Sequence, residues 1–216
     1  MEVIDLTHTL HTGVPVYPGS KQARLVKVAG IGSDGFQETF LHMSAHTGTH
    51  IDCGRHFLIN GSDTANSSPD SFFGKGVIID CRNHTEINRI SRSHLQTYED
   101  RMRQTDFVLI LTGWSRFWGD DRYFSEFLGL DLTAAQYLSG FRLKGIGIDG
   151  PSFDQFGSPD FPVHKQFLPI GMFLIENLTN LELLLNREFL FSCFPLKIKE
   201  GDGSPVRAVG IVTGDK

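Results

Sequence analysis

Apolar positions along this chain come in short runs rather than long helical stripes. Residues 3–6, 23–28, 36–41 and 76–80 each read as a strand, bounded by glycine, proline or small polar residues. Phe107–Leu111 is an almost unbroken apolar run, as expected of a central strand buried on both faces. Further strands are predicted at 144–148, at 172–175 ending on Glu176, at 189–191 and at 206–212. Helical periodicity is sparse. One helix is predicted from a cap at Ser91 or Ser93 to about residue 102, and another from residue 134 with Thr133 as its cap. No helix is read at Pro162-Val163-His164. Many strands with few helices predict an α/β fold of mixed β-sheets with flanking helices, or a partial barrel, rather than regular βαβ units. A single domain over 1–216 is expected from the length and the absence of repeats or linkers.

The breaks between runs carry the chemistry. Gly13-Val14-Pro15-Val16-Tyr17-Pro18-Gly19 forces an extended, turn-rich segment. Tyr17, held between two prolines, is a candidate pocket wall and substrate contact. Gly30-Ile31-Gly32-Ser33-Asp34-Gly35 matches a dinucleotide-binding glycine pattern, but that pattern must open a helix. Here a strand-like run follows, so the segment is read as a hairpin connection. The polar stretch 61–73 is read as a loop near a site entrance.

The densest segment is Ala45-His46-Thr47-Gly48-Thr49-His50-Ile51-Asp52-Cys53-Gly54-Arg55-His56-Phe57. Imidazoles and a carboxylate at this density suit a divalent metal such as zinc or manganese. In a straight strand His46 and His50 would lie roughly 13 Å apart, too far to share one ion. Thr47-Gly48-Thr49 makes a poor helix. A strand that bends at Gly48, where glycine tolerates unusual dihedrals, would gather His46, His50 and Asp52 around one centre. His42 shares their parity but is read as an ordinary strand histidine. Asp149 and Asp154 follow a predicted strand and are either site groups or caps of backbone donors.

Composition narrows the function classes. The chain has 216 residues and a formal charge of −5, with no basic block, which argues against nucleic acid as a partner. No apolar stretch is long enough to cross a bilayer, and no signal peptide is evident at the start. The 3 cysteines, Cys53, Cys81 and Cys193, form neither a disulfide framework nor a CxxC site, so a cytoplasmic setting is expected. The 18 phenylalanines exceed what loops need and are expected in the core, a pocket or a subunit interface.

The motif His46-Thr47-Gly48-Thr49-His50-Ile51-Asp52, followed by His56, resembles the signature of the metal-dependent cyclase family, which includes bacterial kynurenine formamidases and isatin hydrolases. The resemblance extends to Asp5-Leu6-Thr7 through Pro18-Gly19, to Gly147-Ile148-Asp149-Gly150-Pro151-Ser152-Phe153-Asp154, to Ile175-Glu176-Asn177-Leu178 and to Gly203-Ser204-Pro205-Val206-Arg207-Ala208. It implies a swivelling β/β/α fold, with His46, His50 and Asp52 on a first metal and Asp52 bridging to a second. His164 and Glu176 are implied as the distant ligands and His56 as the acid–base group. Two ions of Zn2+ or Mn2+ per subunit are implied, with a small-molecule substrate and a homodimer or homotetramer. There are departures. The family commonly has a small residue and proline where this chain has Cys53-Gly54, and glycine where kynurenine formamidases would match Asn177. Cys53 is read as a packing substitute.

The activity this implies is hydrolysis of a small amide, an N-formyl arylamine or a cyclic amide, by metal-activated water. The alternatives are a lactone or ester hydrolase of the same family, or a non-catalytic protein stabilised by a closed metal site. A serine hydrolase is disfavoured, because neither Ser115 nor Ser152 completes a nucleophile elbow.

Overall fold

The computed structural model describes residues 1–83 and 89–214. Its strands are β1 (Glu2–Asp5), β2 (Arg24–Ala29), β3 (Glu38–His42), β4 (His50–Asp52), β5 (Phe73–Asp80), β6 (Arg89–Ile90) and β7 (Phe107–Leu111). They continue with β8 (Gly129–Leu130), β9 (Gly145–Ile148), β10 (Phe173–Glu176), β11 (Phe189–Ser192), β12 (Gly203–Pro205) and β13 (Val209–Val212). The helices are short: α1 (Ile31–Asp34), α2 (Arg92–Gln96), α3 (Glu99–Met102), α4 (Leu132–Leu138) and α5 (Pro162–Phe167).

Nine strands form one mixed sheet in the order β1-β13-β11-β5-β7-β9-β10-β4-β12. The middle strands β5, β7, β9 and β10 run parallel, while the outer pairings are antiparallel. This is the α/β fold of mixed sheet and flanking helices that the apolar pattern predicts. β7 shows why its run is continuous. Val108 and Ile110 face a core shared with Leu95, Leu138 and Phe167, on the helix-covered side. Phe107, Leu109 and Leu111 face the opposite core with Ile175, Leu178 and Phe191. Alternate side chains of one strand thus serve two cores, and no position is left for a polar residue.

β2 and β3 form a separate antiparallel ribbon, joined through the one-turn α1. The glycine-rich segment is therefore a hairpin connection, as read from the strand that follows it. His42 stays on this exposed ribbon, outside the site cavity.

The helices differ from expectation in three places. The helix predicted to run to Met102 is broken into α2 and α3, separated at Thr97-Tyr98. α4 is capped by Asp131, whose Oδ1 accepts from the Ala134 N–H at 2.8 Å. Thr133 instead donates to that same carboxylate at 2.6 Å. The carboxylate takes the capping role because a charged acceptor binds the orphan N–H groups of a helix start more strongly. Pro162-Val163-His164 is the start of α5, with proline at its first turn, where its missing N–H is no loss. Among the described residues, no helix is long and apolar enough to cross a membrane.

Candidate metal and catalytic centre

β4 places the first two groups. His50 pairs with Glu176 of β10 and Asp52 with Leu174. Side chains two apart share a face, so His50, Asp52 and Glu176 project together. All three are buried. His46 reaches them from the preceding turn, where Gly48 has φ +68°, a conformation that favours glycine. The bend expected at Gly48 is therefore present, although His46 lies in a turn and only residues 50–52 are strand.

The groups converge closely. His50 Nε2 lies 3.3 Å from Asp52 Oδ1 and 3.6 Å from Glu176 Oε2. His164 Nε2 lies 3.4 Å from both Asp52 Oδ2 and Glu176 Oε1. His46 Nδ1 lies 2.6 Å from Asp52 Oδ1. The resemblance groups His46 with His50; in the structure the two rings meet edge-on at 5.1 Å between centroids, and His50 Nε2 also faces Glu176. Two overlapping triads share Asp52, one with His50 and Glu176 and one with His46 and His56, their ligand atoms within 4.8 Å of one another in each.

The other ring nitrogens are assigned by their partners. The Gly48 carbonyl can only accept, so His50 Nδ1, 2.8 Å away, carries a proton. His164 Nδ1 donates to Asp154 Oδ2 at 2.5 Å. Asp154 is itself held by the Val163 and His164 backbone N–H groups at 2.8 and 3.1 Å, which caps α5. In both rings Nε2 is thereby turned towards the carboxylates. A carboxylate or carbonyl behind an imidazole is the usual support of a metal-binding histidine. Asp149, by contrast, is buried and accepts from Thr112 N and Gly113 N at 2.8 and 2.7 Å. It caps the end of β7, and burial raises its pKa to about 6.

Electrostatics agree with a cation-hungry centre. Burial would push the Asp52 carboxyl up, but His46, His50 and His164 outweigh it and hold it well below the usual range. Burial opposes charge on His164, yet Asp154, Asp52 and Glu176 raise its pKa. The same contest, with Asp52 and Asp202 as partners, lifts His46 to about 10. In the ion-free chain, protons on His46 and His164 balance the buried carboxylates. A divalent ion would displace them, as ligand protons are displaced when a metal binds. The donor set therefore fits a hard or borderline divalent cation.

His56 sits at the rim, with 31% of its side chain open. Its ring stacks on His46 at 4.0 Å between centroids. Desolvation lowers its pKa below the ordinary imidazole value. Without a proline, its approach is fixed by a crossing of two chain segments. Gly54 N donates to Ser62 Oγ at 3.2 Å and Arg55 N to the Ser62 carbonyl at 3.0 Å. A Cβ on Gly61 would lie 2.1 Å from the Gly54 carbonyl carbon, so the close crossing requires glycine. Cys53 is buried in the core, and burial pushes its thiol up to about 12, which suits packing rather than ligation.

These groups floor a cavity of about 270 Å³, walled by Tyr17, Phe57, Phe124 and Phe161. Tyr17 meets Phe124 edge-on at 5.8 Å. The Trp114–Phe117 pair packs outside this cavity, and Trp118 stacks on His8. Two polar groups, Asp202 and Asn177, were not among the expected site residues, whereas Asp154 was weighed there as a site group or a cap. Asp202 accepts from His46 Nε2 at 2.9 Å and lies 3.9 Å from His56 Nδ1. Asp154 orients His164. Asn177 lines the cavity beside Glu176. Asp202 arrives because β12 pairs with β4, Gly203 opposite Asp52. A Cβ on Gly203 would meet the His46 ring at 2.8 Å. The adjoining Gly203-Ser204-Pro205 was the available signal.

The Cyclase family model matches residues 4–155, and the chain belongs to that family. The class of protein is that of the metal-dependent hydrolases. A kynurenine formamidase of Geobacillus thermodenitrificans (strain NG80-2) is 31% identical over 210 residues, covering 95% of each chain. The isatin hydrolase A of Labrenzia aggregata, bound to benzyl benzoate, superposes with a TM-score of 0.88 at 26% identity, over 99% of this chain and 94% of that one. An isatin hydrolase bound to the product analogue thioisatinate has a TM-score of 0.89 at 23% identity, over 99% and 93%, and attests the fold.

Proposed function

We propose that the chain hydrolyses the carbon–nitrogen bond of a small amide, an N-formyl arylamine or a cyclic amide. The observation that carries this is the cavity floor: two buried carboxylates, Asp52 and Glu176, faced by imidazole nitrogens of His46, His50 and His164 beneath aromatic walls. In this reading His46, His50, Asp52, His164 and Glu176 would hold two ions of Zn2+ or Mn2+. Bound there, the ions supply a Lewis acid and lower the pKa of water towards neutrality.

The chain's own residues do the rest. Tyr17, Phe57, Phe124 and Phe161 exclude water and receive a planar group. His56, neutral and at the rim, accepts a proton from the attacking water and returns one to the leaving nitrogen. Asp202, 3.9 Å from His56 Nδ1, stabilises the imidazolium between those two transfers. A cytoplasmic setting is part of this reading, supported by three thiols that are buried and free. So is a homodimer or homotetramer, supported by exposed Val26, Val28, Phe36 and Phe40 on the ribbon and its turn.

The test is a screen of formanilides, cyclic amides and lactones, with each metal restored separately to chelator-treated protein. Metal-dependent turnover of an amide is expected. Turnover of lactones or esters alone would replace the amide assignment, and activity that survives chelation would remove the metal from the reaction.

A further inference from the structure

Asn177 follows the β10 carboxylate in a left-handed conformation, with φ +56°. Asparagine tolerates that backbone better than other residues bearing a side chain, apart from aspartate. Its side chain is buried and both ends are engaged. The Gly48 carbonyl is an acceptor only, so the amide nitrogen must face it, at 3.0 Å. The amide oxygen then receives the hydroxyl of Tyr123 at 2.9 Å. Tyr123 is fully buried, so its hydroxyl has no water as an alternative partner. The backbone carbonyl of Asn177 accepts from Thr49 Oγ1 at 2.6 Å, tying the same residue to the link between Gly48 and His50.

The acceptor at the centre of this arrangement is the one that serves His50. Gly48 O takes the His50 Nδ1 proton at 2.8 Å and the Asn177 amide at 3.0 Å, and the two donor nitrogens lie 3.4 Å apart. Gly48, with φ +68° and no side chain, has little of its own to stop that peptide turning. If it turned, His50 Nδ1 would lose its acceptor. Asp52 and Glu176 would then favour the proton on Nε2, the nitrogen that faces them and that an ion would need.

We propose that the Tyr123–Asn177 pair is a positioning device that locks the Gly48 carbonyl and, through it, the tautomer and tilt of His50, raising the affinity of the site for a divalent ion. This rests on the reading of His50 as a metal ligand. Neither residue touches the reacting atoms; both act through His50.

The experiment uses cobalt(II) as the probe, with affinity measured by chelator competition and the visible absorption of the bound ion recorded alongside. Asn177→Gly preserves the left-handed backbone and removes the amide; Tyr123→Phe preserves packing and removes the hydroxyl. Asn177→Gly is expected to weaken cobalt(II) binding by about 10- to 100-fold, the range for partners that orient ligands. Its cobalt spectrum should shift; the metal-free melting temperature should fall because the buried Tyr123 hydroxyl loses its acceptor, a loss that adding Tyr123→Phe relieves without restoring cobalt affinity. Tyr123→Phe should act in the same direction and less strongly. The double variant should lose no more than Asn177→Gly alone, because both act through one amide. Wild-type affinity and spectrum in Asn177→Gly would overturn the proposal. If that variant does not fold, Tyr123→Phe decides by the same two readouts. Wild-type protein that takes up no cobalt overturns the metal-centre reading together with this one, whereas equal binding by wild type and variants overturns this one alone.

Discussion

The floor and the rim of the cavity are built from the same residue types and behave differently. On the floor, His50 and His164 are buried, each with Nδ1 committed to an acceptor behind it and Nε2 facing Asp52 and Glu176. At the rim, His46 offers both ring nitrogens to carboxylates, Asp52 on one side and Asp202 on the other. The His56 ring lies 3.9 Å from Asp202 and remains partly open. An imidazole locked from behind is suited to hold an ion, and one left loose is suited to exchange protons. His46 lies between these extremes.

Three measurements would break or sharpen this contrast. The largest effect is expected from His50→Ala, which leaves Asp52 and Glu176 short of a partner on the floor. Losing a ligand leaves the ion one donor short, so metal affinity should fall roughly 100-fold or more, beyond the range seen when only a partner behind a ligand is removed. Elemental analysis after gel filtration would read this, and full metal content would take His50 off the floor. The second effect is expected from His56→Ala: metal retained, turnover reduced by about 100-fold, within the usual acid–base range. Loss of metal in that variant would make His56 a ligand, as its 4.8 Å grouping with His46 and Asp52 permits. The smallest effect concerns His46 in metal-free protein. Its pKa is raised from 6.5 to about 10, so the stability it contributes is fully present below about pH 6.5 and is lost as pH rises through about 10. Asp202→Asn should lower the melting temperature of the metal-free protein at neutral pH and flatten its decline between pH 6.5 and 10. A decline as steep as in wild type would assign it to other groups.

The strands and the central motif were legible because their signals are local. An apolar run of five, or four polar groups within eleven residues, is read without knowing what lies opposite. His164 and Glu176 were reached only through family resemblance; nothing in Val163-His164-Lys165 marks a ligand until α5 and the Asp154 cap exist. Asp202 was missed because it acts through strand pairing. Its place beside His46 depends on β12 lying against β4, and the adjoining Gly203-Ser204-Pro205 marks the segment without stating that register. The Asp131 cap was missed by two positions, since Thr133 and Asp131 both bear side-chain acceptors and the helix begins between them, at Leu132. Asn177 was noted as a departure, but its reach to Gly48 and Tyr123 required the fold.

The pairing of β12 with β4 also has a consequence for how the molecule comes into being. The His46–Asp202 contact spans 156 positions of chain, and β1 likewise waits for β13. Closing such a span is entropically unfavourable until much else has condensed, and sheets rich in distant pairings fold slowly. On a ribosome, the early histidines emerge well before their late carboxylate. The nascent chain therefore carries half a cation trap; α5 and β10 bring its distant partners, and docking of β12 adds Asp202 last.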